Sequence, residues 1–321
     1  MKAAIYENYG PPEVVKLVEI AAPEPKENEI QIQVIRSTVN RTDTGFRSAV
    51  YFVSRFWTGL FKPKRQILGT DFAGRVSKKG ANVKAFELND RVLGFDDEVF
   101  GSHAEYMTVA ANKAVAKLDE KLTFDQGAAL LEGAHYALTN IRAAGVKKGD
   151  CVMVYGATGA IGSAAVQLLK AMGIQVTAVG NSKNIALLRD LGADQVIDYQ
   201  KEDFTKTAGK FQFIFDAVGK SSFKVCKTLL AEKGVYISTE LGKNGINLIL
   251  PLLTRLKGGK RVLFPFPSIT KEDIDYLQEL AIKGQYLPVI DRAYKLNEIV
   301  EAHQYVESGR KTGNVILKVQ D

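Results

Sequence analysis

Two cysteines, three histidines and one tryptophan are all that the 321 residues hold of those types. Cys151 and Cys226 lie far apart in sequence with no C-x-x-C pair, so neither a zinc knuckle nor a disulfide framework can be built on them, and a reducing compartment is the default. Long apolar runs are missing too, since no window of about 18 apolar residues occurs. The start, Met1-Lys2-Ala3-Ala4-Ile5-Tyr6-Glu7, meets an acid before the apolar stretch that a secretion signal needs. The expectation is a cytoplasmic protein, neither exported nor membrane-spanning. Blocks of like charge are absent as well. The 43 Lys plus Arg against 36 Asp plus Glu give +7 spread along the chain, which fits a polyanionic small ligand at least as well as nucleic acid or anionic lipid.

What is present is ordinary for a soluble globular protein, with 46% hydrophobic and 25% charged residues, and the length suits two domains. Residues 1 to about 120 read as β-rich. Glu29-Ile30-Gln31-Ile32-Gln33-Val34-Ile35 alternates polar and apolar, as a strand with one wet face does, and Gly69, Gly74, Gly80, Gly94 and Gly101 supply turns. From about 123 strands and helices alternate, beginning with the apolar run Val152-Met153-Val154-Tyr155. Further strands are expected at Gln175 to Val179, Gln195 to Ile197, Phe211 to Phe215, Gly234 to Ser238 and Arg261 to Phe264. Apolar strands separated by helices imply a parallel, doubly wound α/β sheet over 123–267. Residues 1–122 read as the β-rich domain.

The first parallel strand runs into Gly156-Ala157-Thr158-Gly159-Ala160-Ile161-Gly162 and then an apolar helix. Glycines at this spacing serve a tight turn, a close backbone approach to a pyrophosphate and helix-strand packing, and free N–H groups at the helix start favour the diphosphate. Alone, the pattern also describes an ordinary glycine-rich turn; its place between strand and helix selects the dinucleotide reading. The next strand ends Val179-Gly180-Asn181-Ser182-Lys183 without the acid that would hold the ribose 2′-hydroxyl of NAD. Small polar groups and a cation suit a 2′-phosphate, so NADPH is the expected cofactor, although Lys183 also reads as a solvated helix-start lysine.

These features, with Leu191-Gly192-Ala193-Asp194-Gln195-Val196-Ile197-Asp198-Tyr199 and Phe215-Asp216-Ala217-Val218-Gly219, resemble the medium-chain dehydrogenase/reductase superfamily, most closely its zinc-free quinone oxidoreductase branch. The likeness runs from Gly10-Pro11-Pro12 to Lys311-Thr312-Gly313-Asn314. It implies a GroES-like catalytic domain, 1–122 rejoined by 268–321, beside a Rossmann domain, with the cofactor in the cleft between them, and a homodimer by analogy. At the three catalytic zinc-ligand positions of zinc-dependent members this chain has Asn40, Thr70 and Glu132, which do not make a tetrahedral zinc site. No metal is expected. Glu132 and His135 do share an i, i+3 helical spacing, a pattern more common for a packed pair than for ligands, and Glu132 departs from the apolar residue usual in the branch.

Carried over by position, the resemblance implies that Asn40 lines the nicotinamide and substrate pocket, with Asp43 holding its loop. Gly156, Ala157, Thr158, Gly159, Ala160, Ile161 and Gly162 would wrap the diphosphate; Gly180, Asn181, Ser182, Lys183 and Tyr199 would surround the adenosine phosphate. Tyr199 also reads as a strand-end aromatic. Val218, Phe264 and Phe266 would face ribose and nicotinamide, and Lys311 is a weak substitute for the basic residue that relatives carry in a C-terminal Gly-Lys.

Without a Lewis acid, conjugated carbonyls and quinones remain good hydride acceptors, because the negative charge spreads to a distant oxygen. The function expected is NADPH-dependent reduction of quinones or α,β-unsaturated carbonyls, with a proton from Tyr51, from water on Asn40 or from solvent. Two other classes stay open: a cofactor-binding redox-sensing or RNA-binding protein on the same fold, and a peripheral membrane partner using the apolar stretches 50–61 and 246–256. Residues 50–61 hold five aromatics, Tyr51, Phe52, Phe56, Trp57 and Phe61, and read either as a buried helix or as an aromatic lid.

Overall fold

A computed structural model describes residues 1–49, 55–207 and 209–320, with the backbone alone for Phe56 and Trp57. The chain divides into two compact units, the first made of residues 1–132, 269–282 and 289–321 and the second of 133–268 and 283–288. The α/β class, with one β-rich sheet and one doubly wound sheet, agrees with the expectation from sequence.

The first unit opens with β1 (Lys2–Tyr6) paired to β2 (Val15–Glu19). Then follow β3 (Glu29–Thr38), helices α1 (Arg41–Ser48) and α2 (Arg55–Thr58), and strands β4 (Asp71–Lys79), β5 (Arg91–Phe95), β6 (Tyr106–Ala110) and β7 (Val115–Lys117). Helix α3 (Phe124–Ala129) closes this stretch, capped by Thr123 and Gln126 in a capping box.

In the second unit come α4, which begins at Glu132 and ends at Ala144, then β8 (Cys151–Tyr155), α5 (Ala160–Ala171), β9 (Gln175–Gly180), α6 (Ile185–Asp190) and β10 (Gln195–Asp198). After them lie β11 (Phe211–Asp216), α7 (Phe223–Cys226), β12 (Leu230–Ser238), α8 (Ile246–Lys257) and β13 (Arg261–Leu263). The chain then returns to the first unit through α9 (Lys271–Ile282), β14 (Ile290–Lys295), α10 (Ile299–Glu307) and β15 (Asn314–Lys318).

The first unit's main sheet runs β14-β15-β3-β4-β5-β7, with β6 also on β3. Antiparallel pairing of Ile316 with Thr38 and Leu317 with Ser37 ties the C-terminal strand to the end of β3. The core here gathers Ile30, Ile32, Val34, Phe72, Val92, Val315 and Leu317. Strand β3 lacks the wet face its alternation suggested. Flanked by β15, β4 and β6, it buries Gln31 to 2% exposure, and the amide survives there by donating to the Pro23 carbonyl and accepting from Ser77.

The second unit's sheet has the order β10-β9-β8-β11-β12-β13, and every pair is parallel. Met153, Val179, Ile214, Tyr236 and Val262 meet in its core. The order reverses between β8 and β11. In such sheets ligands bind beyond the carboxyl ends of the strands at that reversal, where the loops after Tyr155 and Asp216 begin.

Candidate active site

Helix α1 starts where β3 ends, and Asn40 is its N-cap. The Asn40 side chain accepts from the Asp43 N–H at 2.9 Å, and Asp43 accepts in return from the Asn40 N–H at 3.0 Å, a reciprocal capping box. The other Asp43 oxygen accepts from the Gly69 N–H at 2.9 Å. The loop anchored by Asp43 is therefore the one the sequence pointed to.

Around Asn40 lies a dense polar cluster inside the first unit. Asn40 Nδ2 donates to Thr70 Oγ1 at 3.0 Å and is 3.5 Å from Asp71 Oδ2. That Asp71 oxygen also receives the Thr38 hydroxyl at 2.9 Å and the Thr70 hydroxyl at 3.2 Å, and Asp71 Oδ1 accepts from the Glu132 N–H at 3.1 Å. Thr42 donates to Glu132 Oε1 at 3.1 Å. His103 Nε2 lies 2.8 Å from the Thr38 carbonyl, so that nitrogen carries the hydrogen.

Three carboxyls and few cations share this space. Burial pushes Asp43 and Glu132 each up to about 7, and lifts Asp71 well above the carboxylate range, helped by the charge of Glu132. The half-buried Lys311 partly offsets this, lowering Glu132 and Asp43 by its charge, while desolvation lowers its own pKa. Its Nζ donates to the Gly313 carbonyl at 2.8 Å. Burial drives His103 down to about 4, so it is neutral. Strongly shifted titratable groups concentrated in one place are a mark of functional sites.

As zinc donors these groups do not fit. The Asn40 amide and Thr70 hydroxyl are engaged with each other, and among the described residues no group of three or more His, Cys, Asp or Glu could hold a metal ion. His135 is buried with its ring 4.5 Å from the ring of Tyr136. Tyr51, the expected proton donor, and most of the aromatic segment around it lie outside the described residues.

In the second unit the glycine turn has the geometry of a phosphate cradle. Gly156 has φ +76° with Val218 pressed against it, and a Cβ on Gly162 would sit 2.3 Å from the Gly156 carbonyl oxygen. Gly159 caps α5 without a side-chain bond, leaving first-turn N–H groups for a ligand. The turn and Gly180 stand together: the Gly156 and Ala157 N–H groups donate to the Val179 carbonyl, and a Cβ on Gly180 would meet Thr158. Asn181 keeps a buried Oδ1 with no hydrogen-bond partner. Such an orphan beside the bare start of α5 fits a dinucleotide's polar groups.

Beyond Gly180 the structure adds a residue that the sequence reading overlooked at this end. Ser182 donates to Asp198 Oδ2 at 2.5 Å, and Lys201 is 3.8 Å from the same oxygen. Tyr199 donates its N–H to Gly180 and is 48% exposed. Lys183 is exposed in the turn Ser182–Asn184. Phe264 and Phe266 follow β13 as an edge-on pair, centroids 6.2 Å apart. Lys311 belongs to the other unit, in the Glu132 cluster.

With this geometry in hand, comparison with known proteins is informative. Residues 26–120 match the model for the alcohol dehydrogenase GroES-like domain and residues 191–317 that for zinc-binding dehydrogenase. A quinone oxidoreductase of Homo sapiens is 32% identical across 99% of this chain and 97% of its own length. The chain belongs to the medium-chain dehydrogenase/reductase superfamily, in its quinone oxidoreductase branch. A 2-methylene-furan-3-one reductase of Solanum lycopersicum is also 32% identical, over 99% of this chain and 79% of its own. The Escherichia coli quinone oxidoreductase complexed with NADPH superposes with TM-score 0.86 at 25% identity, over 99% of this chain and 100% of that one. This superfamily member thus matches two domain models of the dehydrogenases.

Proposed function

We propose that the chain is an NADPH-dependent reductase passing hydride to quinones or α,β-unsaturated carbonyls. The observation that carries the reading is the Asn40–Thr70 contact: two polar side chains bonded to each other suit acceptors that delocalise the incoming charge and need no Lewis acid. The relatives named for quinones and for a methylene-furanone support it. Bound at the glycine turn, NADPH supplies the hydride. The turn 157–161 would wrap the diphosphate, with the free N–H groups at the start of α5 donating to it, and Asn181, Ser182 and Lys183 would hold the adenosine phosphate. Asp43 fixes the Asn40 loop against reorganisation. The test is label transfer: NADPH deuterated at the nicotinamide C4 should place deuterium on the β carbon of an enone, and unlabelled product would refute hydride transfer.

A redox-sensing role finds little support in the cysteines. Burial pushes the Cys226 thiol up to about 11, whereas reactive thiols are shifted the other way.

We also propose that the protein is a homodimer. Helix α8 is inside out: Asn247 and Thr254 are buried, while Ile246, Leu248, Ile249, Leu252, Leu253 and Leu256 are exposed, Leu256 to 76%. A second copy covering this face by a two-fold contact would remove the patch from water.

A further inference from the structure

Reduction of an enone or quinone needs a proton as well as a hydride; Tyr51, one expected source, lies outside the described residues, and most of the groups clustered around Asn40 do not suit the task. Asn40 has no titratable proton. Asp43 spends both carboxyl oxygens on the Asn40 and Gly69 N–H groups. Asp71 is ringed by Thr38, Thr70, Asn40 and the Glu132 N–H. Glu132 differs from both. Its Oε1 accepts from Thr42, and among the described residues Oε2 has no hydrogen-bond partner, although the residue is only 6% exposed.

Resting on the reductase reading above, we propose that Glu132 is the acid that delivers the proton to the reduced substrate, with Lys311 and Thr42 stabilising the carboxylate it leaves behind. Hydride addition at the β carbon pushes the C=C electron pair toward the carbonyl, giving an enolate. The Glu132 O–H bond then breaks, its proton forms the new C–H bond at the α carbon, and the carbonyl re-forms. For a quinone the proton goes to oxygen. Water afterwards reprotonates the carboxylate.

The surroundings favour an acid that both holds and releases a proton. Desolvation and the charge of Asp43 keep the proton on; Lys311, the Thr42 hydroxyl and the N-terminal end of α4 favour the anion. Lys311 itself feels Arg41, Asp291 and Asp71, and Asp71 from β4 feels Glu132 and Asp43. His103 stays neutral and adds no charge.

The test compares wild type with Glu132→Gln, which keeps the shape and removes the acid. Infrared difference spectra of the cofactor-free proteins should show protonated-carboxyl absorbance titrating near neutrality in the wild type, of which the variant loses the Glu132 share and keeps that of Asp43. With a 2-substituted cyclic enone in D2O, wild type should deuterate one face of the α carbon, whereas the variant should scramble the faces and lose about 10²- to 10⁴-fold in kcat. Thr42→Val retains the acid without its donor, so it should move the pH limb of kcat upward, and it serves if Glu132→Gln fails to fold. Unchanged kcat, pH profile and face selectivity in an active protein would overturn the role of Glu132. A wild type inert toward every quinone and enone would instead bring down the reductase reading, and the proton role with it.

Discussion

The Asn40 amide donates to the Thr70 hydroxyl at 3.0 Å, so these two buried side chains are spent on each other. Purified protein should therefore contain no stoichiometric zinc, and chelators should leave turnover intact. About one zinc per chain by elemental analysis, lost together with activity, would contradict this.

The proposed adenosine-phosphate site makes Lys183 and Asp198 the residues to test for cofactor choice. Removing the cation by Lys183→Ala should weaken NADPH about ten- to a hundredfold and leave NADH nearly unchanged, the size of a lost charge-assisted contact. Because Asp198 places a carboxylate on Ser182, Asp198→Asn should tighten NADPH relative to NADH. Calorimetric titration of both cofactors checks the pair, and a wild type that binds NADPH and NADH equally would sink the assignment.

The pH dependence of stability has a defined sign at Glu132. Its folded pKa of about 7 lies above the unfolded value of about 4.3, so the folded state holds the extra proton between them. Its contribution is complete below the unfolded value and is lost as pH rises through the folded one. Denaturant melts of wild type should thus lose stability relative to Glu132→Gln from about pH 4.3 to about pH 7, then run parallel. A constant difference over that window would mean that Glu132 is not protonated in the folded protein.

Oligomeric state can be read at α8. Light scattering should give a dimer for the wild type and a monomer for Leu252→Glu combined with Leu256→Glu, two residues exposed on that face. A wild-type monomer that instead binds anionic vesicles would assign the face to a membrane surface.

Much of the architecture was legible because local patterns and tertiary demands agree. The run Val152 to Tyr155, the glycine turn and the helix after it each point to the same parallel sheet, and the pairing of β8 with β9 and β11 is what they require. The acid cluster was not legible in the same way. Asp71, Glu132 and Lys311 are far apart in the chain, and only the pairing of β15 with β3 and of β3 with β4 gathers these regions. One signal was available, an Asp at the head of the otherwise apolar strand Asp71-Phe72-Ala73. Asp198 is illegible for a related reason: it ends β10, and only the pairing of Asp198 with Gly180 brings it to the end of β9.

The most direct test of the account is steady-state oxidation of NADPH against a panel of quinones, enals and enones, with NADH in parallel. Turnover of at least one such acceptor, faster with NADPH and unaffected by chelator, is the predicted result. No oxidation above background across the panel, from protein that binds NADPH, would contradict it.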